Sequence, residues 1–211
     1  MPESTTETKS YFYPNRIGRV ILVAMEKELG RERLDEVLRA GNLTELQRLP
    51  PNNLNRKFRF EWVAGLQAAT ESVFGAKAGR KMNHRIGAAC FNTGLKEFDP
   101  LLGIADLPFR LMPLGMKFRV GLDVFARVFN QFSDQVVRIQ ESEDSFNWII
   151  ERCPVCWGRE TDAPCCGLAQ GILEESIFWG TGGRRYQIEE TQCVAMGADA
   201  CVFAISKSPL D

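Results

Sequence analysis

The placement of the cysteines constrains this chain more than any other feature. Six of the seven lie in the last 59 of 211 residues: Cys153, Cys156, Cys165, Cys166, Cys193 and Cys201. An odd total argues against a closed disulfide framework, and a reducing cytosol would keep such thiols free. Grouped thiolates are typical zinc ligands. The sequence therefore predicts that the C-terminal part, residues 151–205, folds around these six cysteines, here named the thiol cluster.

Length and charge set the broad class of protein. With 211 residues, 45% of them hydrophobic, the chain can bury one core, so we expect a single domain over residues 11–211 after a disordered polar tail at 1–10. A net charge of -1 disfavours nucleic acid and anionic membranes as partners. The N-terminus lacks the pattern of a signal peptide, and the most apolar run, residues 20–25, is too short to span a bilayer. We expect a cytoplasmic protein.

The first half of the sequence shows helical periodicity. Apolar residues at helical spacing predict helices within residues 17–38, 60–74 and 76–95, with turn chemistry at 49–53. Asp99, Pro100, Gly103, Pro108 and Pro113 break the middle of the chain. Residues 118–132 then form an aromatic amphipathic helix, whose stripe is more typical of a core than of a ligand site.

The second half changes to the periodicity of strands. Residues 136–139 and 146–150 read as strands around an acidic turn, and residues 166–179 read as a helix. Residues 185–196 and 200–205 suggest a hairpin. The predicted fold class is α+β, with a helical N-terminal half followed by a small antiparallel sheet and one packed helix.

Hairpin geometry brings two cysteines together. If the hairpin turns about Gly197, Cys193 and Cys201 lie opposite each other, at a spacing that suits a disulfide or two ligands of one tetrahedral ion. In reducing cytosol the metal is the better interpretation. Glu190 lies three residues before Cys193, so it reaches the same face only if the strand carries a bulge or begins later.

Further ligands must come from outside this hairpin. Cys165 or Cys166 is suitable because the N-terminus of a helix stabilises a thiolate. The spacing of Cys153 and Cys156 suits zinc, an iron–sulfur cluster or a redox disulfide, and it leaves a second metal site or a plain strand end open. Buried cysteines without any ligand remain an alternative for the whole group.

Three segments resemble a known family, the 4-vinyl reductase domain. They are C-P-V-C at 153–156, C-G-L-A-Q-G at 166–171 and E-T-Q-C-V-A-M-G-A-D-A-C-V-F at 190–203. The resemblance implies a small-molecule-binding module with the fold of trafficking-complex (TRAPP-like) subunits, usually dimeric. By residue match it also implies one zinc held by Cys166, Glu190, Cys193 and Cys201. The sequence departs from the family in the adjacent Cys165 and in a Gly-rich link at 180–183.

Three functions are compatible with this resemblance. It favours a zinc-stiffened binding protein for a hydrophobic small molecule, either a tetrapyrrole of the chlorophyll type or an aromatic compound. The first alternative is an enzyme or accessory factor that reduces the 8-vinyl (4-vinyl) group of bacteriochlorophyll precursors, although no nucleotide-binding fingerprint supplies a hydride. The second is a homodimeric scaffold or assembly factor. We expect binding without catalysis, and no pocket residue is assigned.

A few side chains outside the thiol cluster could also contribute to a site. His84 is the only histidine, and it is more typical of a solvated helix face than of a catalytic or ligand site. The nearby cations Lys77, Arg80, Lys81 and Arg85 could attract a carboxylate-bearing ligand, but they too suit a solvated face. Trp148, Trp157 and Trp179 could line a pocket, although each is more often a core residue.

Overall fold

The computed structural model describes residues 10–94 and 112–210. The expected disordered tail and the predicted chain breaks between residues 99 and 108 lie outside the described residues. So does residue 95, the end of one predicted helix.

Helices dominate the first half of the fold. Its elements are β1 (Phe12–Pro14), α1 (Asn15–Leu29), α2 (Arg31–Ala40), a 3-10 turn (Thr44–Gln47), β2 (Arg56–Arg59), α3 (Phe60–Phe74), α4 (Ala76–Thr93) and α5 (Leu114–Phe132). Gly30 and Gly75 separate consecutive helices with φ of 79° and 83°, a conformation that only glycine adopts readily. The predicted helices are confirmed within the described range, whereas the short antiparallel pair β1–β2 was not anticipated.

An antiparallel sheet forms the second half. Its elements are β3 (Val136–Glu141), β4 (Ser145–Arg152), α6 (Gly167–Gly180), β5 (Tyr186–Gln192), a 3-10 turn (Val194–Met196) and β6 (Cys201–Pro209). The strand order is β3-β4-β6-β5, and every neighbouring pair is antiparallel. The architecture is α+β, as the sequence predicted.

The aromatic stripe of α5 packs against this sheet. Phe118 lies 5.3 Å from Phe146 between ring centroids, and Phe125 lies 5.6 Å from Trp148. Both phenylalanines are buried, as expected for core residues. Offset and edge contacts of this kind contribute about 0.5–1.5 kcal/mol each beyond the burial of their area.

Helices α4 and α6 cross at glycines. A Cβ atom on Gly87 would overlap the carbonyl oxygen of Leu168, and one on Gly171 would overlap the carbonyl oxygen of His84. The two backbones therefore approach more closely than side chains would permit. This contact fixes the position of α6, whose first turn begins at Cys166. Within the described ranges, no helix combines the length and apolar character needed to cross a membrane.

Candidate metal centre

Four structural elements deliver the thiol cluster to one buried site. Cys153 and Cys156 follow β4, Cys165 and Cys166 precede α6, Cys193 follows β5, and Cys201 begins β6. All six are buried, and none forms a disulfide. Residues 48 positions apart in sequence thus meet at the point where the sheet and α6 come together.

The spacing of the sulfur atoms matches that of a tetrahedral metal site. The Sγ atoms of Cys153 and Cys166 are 3.7 Å apart, those of Cys156 and Cys201 are 3.4 Å apart, and those of Cys166 and Cys201 are 3.7 Å apart. Cys193 lies 3.9 Å from Cys166. Since zinc–sulfur bonds are about 2.3 Å long, two thiolates on one tetrahedral zinc are separated by about 3.8 Å. Disulfide-bonded sulfurs would be about 2.05 Å apart.

A bulge in β5 explains how Glu190 joins Cys193. The register with β6 shifts between Glu190 and Gln192, which leaves Thr191 unpaired opposite the ladder. Thr191 and Gln192 are exposed, whereas Glu190 and Cys193 are buried. The extra residue turns both ligand side chains to the same face. Gln192 pairs with Val202, so Cys193 lies just beyond the ladder and not within the strand pair expected from hairpin geometry.

The carboxylate of Glu190 is only half satisfied. Its Oε2 accepts a hydrogen bond of 2.9 Å from the backbone N–H of Cys166, while Oε1 is buried without a partner among the described residues. Burial raises the pKa of Glu190 to about 8, despite that hydrogen bond. A buried oxygen without a donor is costly. A metal ion would satisfy it.

The crowded thiols shift one another's pKa in opposite directions. Hydrogen bonds from Cys156 and Cys165 lower the pKa of Cys193, whereas the same kind of contact with Cys153 and Cys156 raises the pKa of Cys166. Without a cation, one thiolate is thus held by neighbours that keep their protons. Metal binding would displace those protons, since thiolates are the ligating form.

Two groups of four residues bring their ligand atoms within 4.8 Å of one another. One is Cys153, Cys156, Cys166 and Cys201, and the other is Cys166, Glu190, Cys193 and Cys201. The second group is the set that the resemblance implied. Cys166 belongs to both groups and Cys165 to neither, although the Cys165 sulfur lies 3.9 Å from that of Cys193. The role of these residues as metal ligands stays a prediction.

A buried cation lies beside the thiol cluster. Burial opposes the charge of Arg159, but the neighbouring Cys165 thiol and the Glu71 carboxylate outweigh it and raise the pKa of the guanidinium. Arg159 donates to Glu71 at 2.8 Å, and its Nη1 atom is buried without a hydrogen-bond partner in the described structure. Sequence reasoning missed Arg159, because nothing in its local sequence marks it as part of this site.

A surface groove leads to Glu190. It has a volume of about 620 Å³ and lies between α4 and the start of α6 on one side and β5 on the other. Arg80, Lys81 and Arg85 of the predicted basic cluster line it, together with His84. His84 Nε2 lies 2.8 Å from Glu174 Oε2, and this hydrogen bond raises the pKa of His84. The groove offers ions a route to the buried carboxylate.

A separate apolar cavity of about 30 Å³ lies between the helices and the sheet. Its walls come from β1, α1, α4, α5, β4 and α6, and they include Phe125, Phe129, Trp148, Ile172 and Leu173. The only polar side chains in the wall, among the residues described, are Tyr13, Gln135 and Cys90. Trp148 lines the cavity, as one of three candidates. Trp157 packs on Tyr11 and Phe60, and Trp179 is 41% exposed.

Solved structures share this fold. An H-NOX protein from Shewanella oneidensis, in its Fe(II)NO ligation state, superposes with a TM-score of 0.59 at 15% identity over 94% of this chain and 99% of the other. An unliganded Fe(II) H-NOX protein from K. algicida gives a TM-score of 0.57 at 12% identity, over 92% and 96%. No curated protein sequence matches the chain.

The H-NOX likeness corrects one expectation. The predicted likeness to trafficking-complex subunits is wrong, because the structures that superpose along almost the whole chain are H-NOX domains. The motifs that suggested it lie in the C-terminal sheet and in α6. They therefore carried no information on how the helices from α1 to α5 pack. For the C-terminal part the resemblance is confirmed: residues 147–207, which include the whole thiol cluster, match the 4-vinyl reductase domain family.

Proposed function

We propose that this chain is a binding protein for a hydrophobic small molecule, either a tetrapyrrole or an aromatic compound, held between the helices and the sheet. The observation that carries the proposal is the closed apolar cavity with a polar pair in its wall. Apolar walls with a few convergent polar groups are typical of ligand sites, in which burial gives affinity and the polar groups give orientation.

The polar pair consists of Tyr13 and Gln135. The Tyr13 hydroxyl donates to Oε1 of Gln135, and both side chains are buried. Because each group has a partner inside the protein, the empty site carries no desolvation penalty for them. A ligand with a carbonyl or hydroxyl group can join this hydrogen bond without leaving either residue unsatisfied.

The size of the cavity requires an opening motion. Pockets for drug-sized ligands usually measure about 300–1,000 Å³, whereas this cavity measures about 30 Å³. A planar aromatic ring or tetrapyrrole therefore enters only if the wall residues of α6, such as Ala169 and Ile172, move outward. We expect binding to be coupled to displacement of this helix.

The chemistry of the cavity favours binding over catalysis. Burial raises the pKa of Tyr13 and of Cys90 well above their usual values, so both groups stay protonated near neutral pH. Neither can act as a general base there. This supports the binding role over the vinyl-reduction role, which would also need a source of hydride.

The fold likeness supports a small ligand. The S. oneidensis H-NOX protein is recorded with NO bound at Fe(II), and another of its structures with CO. Among the described residues that line the cavity here, none is histidine. His84 instead contacts Glu174 at the edge of the surface groove. An iron cofactor at this position would therefore need a different protein ligand, such as Tyr13 or Cys90.

A zinc ion held by Cys166, Glu190, Cys193 and Cys201 would brace this binding domain. Support comes from the spacing of the sulfurs and from the unpartnered Oε1 of Glu190. Four protein ligands close the coordination sphere, which is typical of structural rather than catalytic zinc. The ion would join β5, β6 and the start of α6.

Titration with two named probes tests the proposed function. Tryptophan fluorescence of the full chain should be quenched in a saturable manner by protoporphyrin IX or by phenol, because Trp148 lines the cavity. Ala169→Trp fills the cavity and should weaken binding at least tenfold. Ala40→Trp, at an exposed alanine, should not. Equal binding by both variants, or no binding of either probe, contradicts the proposal. Mass spectrometry of compounds extracted from the natively purified protein then identifies the ligand.

The alternative role as a homodimeric scaffold makes a different prediction. A scaffold should dimerise whether or not a small molecule is bound. Sedimentation velocity of the full chain with and without protoporphyrin IX separates the two cases. The homodimer implied by the family resemblance is tested in the same measurement.

A further inference from the structure

We propose that the thiol cluster holds two zinc ions that share Cys166 and Cys201 as bridging thiolates. One ion would take Cys153 and Cys156 as its remaining ligands, and the other would take Glu190 and Cys193. This inference builds on the single zinc site proposed above and adds a second metal position, to which the CxxC sequence contributes.

The geometry of the two four-residue groups carries this inference. Each group has all four ligand atoms within 4.8 Å of one another, and the groups have two members in common. The shared sulfurs, those of Cys166 and Cys201, are 3.7 Å apart, which is the length of one edge of a zinc–thiolate tetrahedron. Two tetrahedra that share this edge use every ligand in both groups.

A single ion leaves the CxxC unexplained. Once Cys166, Glu190, Cys193 and Cys201 bind one zinc, its coordination is complete. Cys153 would then remain 3.7 Å from the Cys166 sulfur, and Cys156 would remain 3.4 Å from the Cys201 sulfur. Both would be buried against thiolates that already bear charge. A second thiophilic divalent ion resolves this crowding, because CxxC is a usual two-ligand zinc spacing.

The charge around the site is consistent with two ions. Two divalent cations nearly balance the five thiolates and the one carboxylate of the combined groups. The remaining negative charge faces Arg159, a buried cation whose Nη1 has no hydrogen-bond partner among the described residues. With one ion the excess of negative charge in this buried site would be larger, and burying unbalanced charge is costly.

An iron–sulfur cubane fits the same cysteines less well. Each cysteine of a four-iron cluster binds a different iron, and the irons and sulfides lie between the cysteines. The four cysteines of the first group, with all sulfurs within 4.8 Å, leave no room for that cluster. Zinc requires no such space, since one ion occupies the centre of each group.

Metal analysis of the full chain gives the primary test. The proposal requires two zinc ions per chain. After substitution with ¹¹³Cd, two resonances that are coupled to each other should appear, because bridging sulfurs connect the two ions. One zinc per chain, or two uncoupled ¹¹³Cd resonances, overturns the shared centre. Iron with acid-labile sulfide also overturns it. These measurements do not depend on any variant folding correctly.

Substitutions then assign the ions. The double variant Cys153→Ser/Cys156→Ser should keep one zinc, and so should Glu190→Gln/Cys193→Ser, whereas Cys166→Ser should lose both. Cys165→Ser is the matched control, because Cys165 is equally buried but belongs to neither group, and it should keep two. If the wild type holds one zinc that survives Cys153→Ser/Cys156→Ser, the second position is wrong and the single site stands. Probe binding in the cavity is unaffected by that outcome.

Discussion

The backbone N–H of Cys166 donates a hydrogen bond of 2.9 Å to Oε2 of Glu190. This bond joins the beginning of α6 to the bulged strand β5, and it orients the carboxylate so that its other oxygen, Oε1, lies buried without a partner among the described residues. Glu190 is thus positioned by the backbone of one proposed ligand residue while it faces the others.

We predict that Glu190→Gln weakens zinc binding at least about tenfold. Loss of an outer-shell partner alone usually costs about 10–100-fold in metal affinity, and removal of an anionic ligand should cost no less. Competition with a chelator of known affinity measures the change. Glu189→Gln is the matched control, because Glu189 is adjacent but exposed. If both variants bind zinc like the wild type, Glu190 is not a ligand.

Metal removal should destabilise the whole domain. The proposed ligands come from four separate elements, so the energy of metal binding is also folding energy. A ligand present at 1,000 times its dissociation constant stabilises the native state by about 4 kcal/mol, and we expect a loss of at least this size. Urea unfolding before and after chelation, and again after zinc is returned, measures it. An unchanged midpoint would show that the domain folds without metal.

We predict that Gly171→Ala disrupts the packing of α4 against α6. A Cβ at this position overlaps backbone atoms, which cannot move aside as a flexible side chain can. Overpacking usually costs about 1–3 kcal/mol, and a backbone clash should be at the upper end. Gly115→Ala in α5 serves as the control, since its Cβ meets open space and should be neutral or mildly stabilising. Thermal unfolding compares the two variants.

The pair formed by His84 and Glu174 should give a pH-dependent contribution to stability. The hydrogen bond from Glu174 raises the pKa of His84 above 6.5. Burial opposes ionisation of Glu174, but the bond with His84 outweighs it and lowers the pKa of the carboxyl below 4.5. Because the pKa of His84 is raised, its contribution is complete below about pH 6.5 and is lost as the pH rises through the folded-state value. The contribution of Glu174 is complete above about pH 4.5 and is lost on acidification.

His84→Gln should therefore destabilise the protein more at pH 6 than at pH 9. Urea unfolding of the wild type and the variant at both values tests this. Since His84 is the only histidine, its ring gives a single NMR resonance that reports the pKa directly. A pKa at or below 6.5 would contradict the proposed effect of Glu174.

Local patterns predicted the elements well. Gly30 and Gly75 marked the helix ends, and the phenylalanines of α5 marked a core stripe, because both signals depend on neighbours within a few residues. The grouping of Cys193 with Cys201 followed from hairpin geometry. The bulge at Thr191 did not, because a bulge depends on how the whole strand packs on its partner.

Long-range packing was beyond the reach of the sequence. Tyr13 and Gln135 are 122 residues apart, and no local signal connects them. The cavity arises where β1, α1, α5 and the sheet converge, so its wall could not be assigned in advance. The likeness to H-NOX proteins also depends on the packing of the helical half, which the cysteine motifs do not encode.

Helix α6 belongs to both sites. Its N-cap is Cys166, while Leu168, Ala169, Ile172 and Leu173 line the cavity, and the glycine contact with α4 leaves it little freedom to bend between them. A ligand that pushes this helix outward must therefore also strain the thiolate at its end. Thermodynamic linkage makes such an effect reciprocal, so metal occupancy and ligand affinity would change by the same factor. The protein would then report on two chemical inputs through the position of one rigid rod.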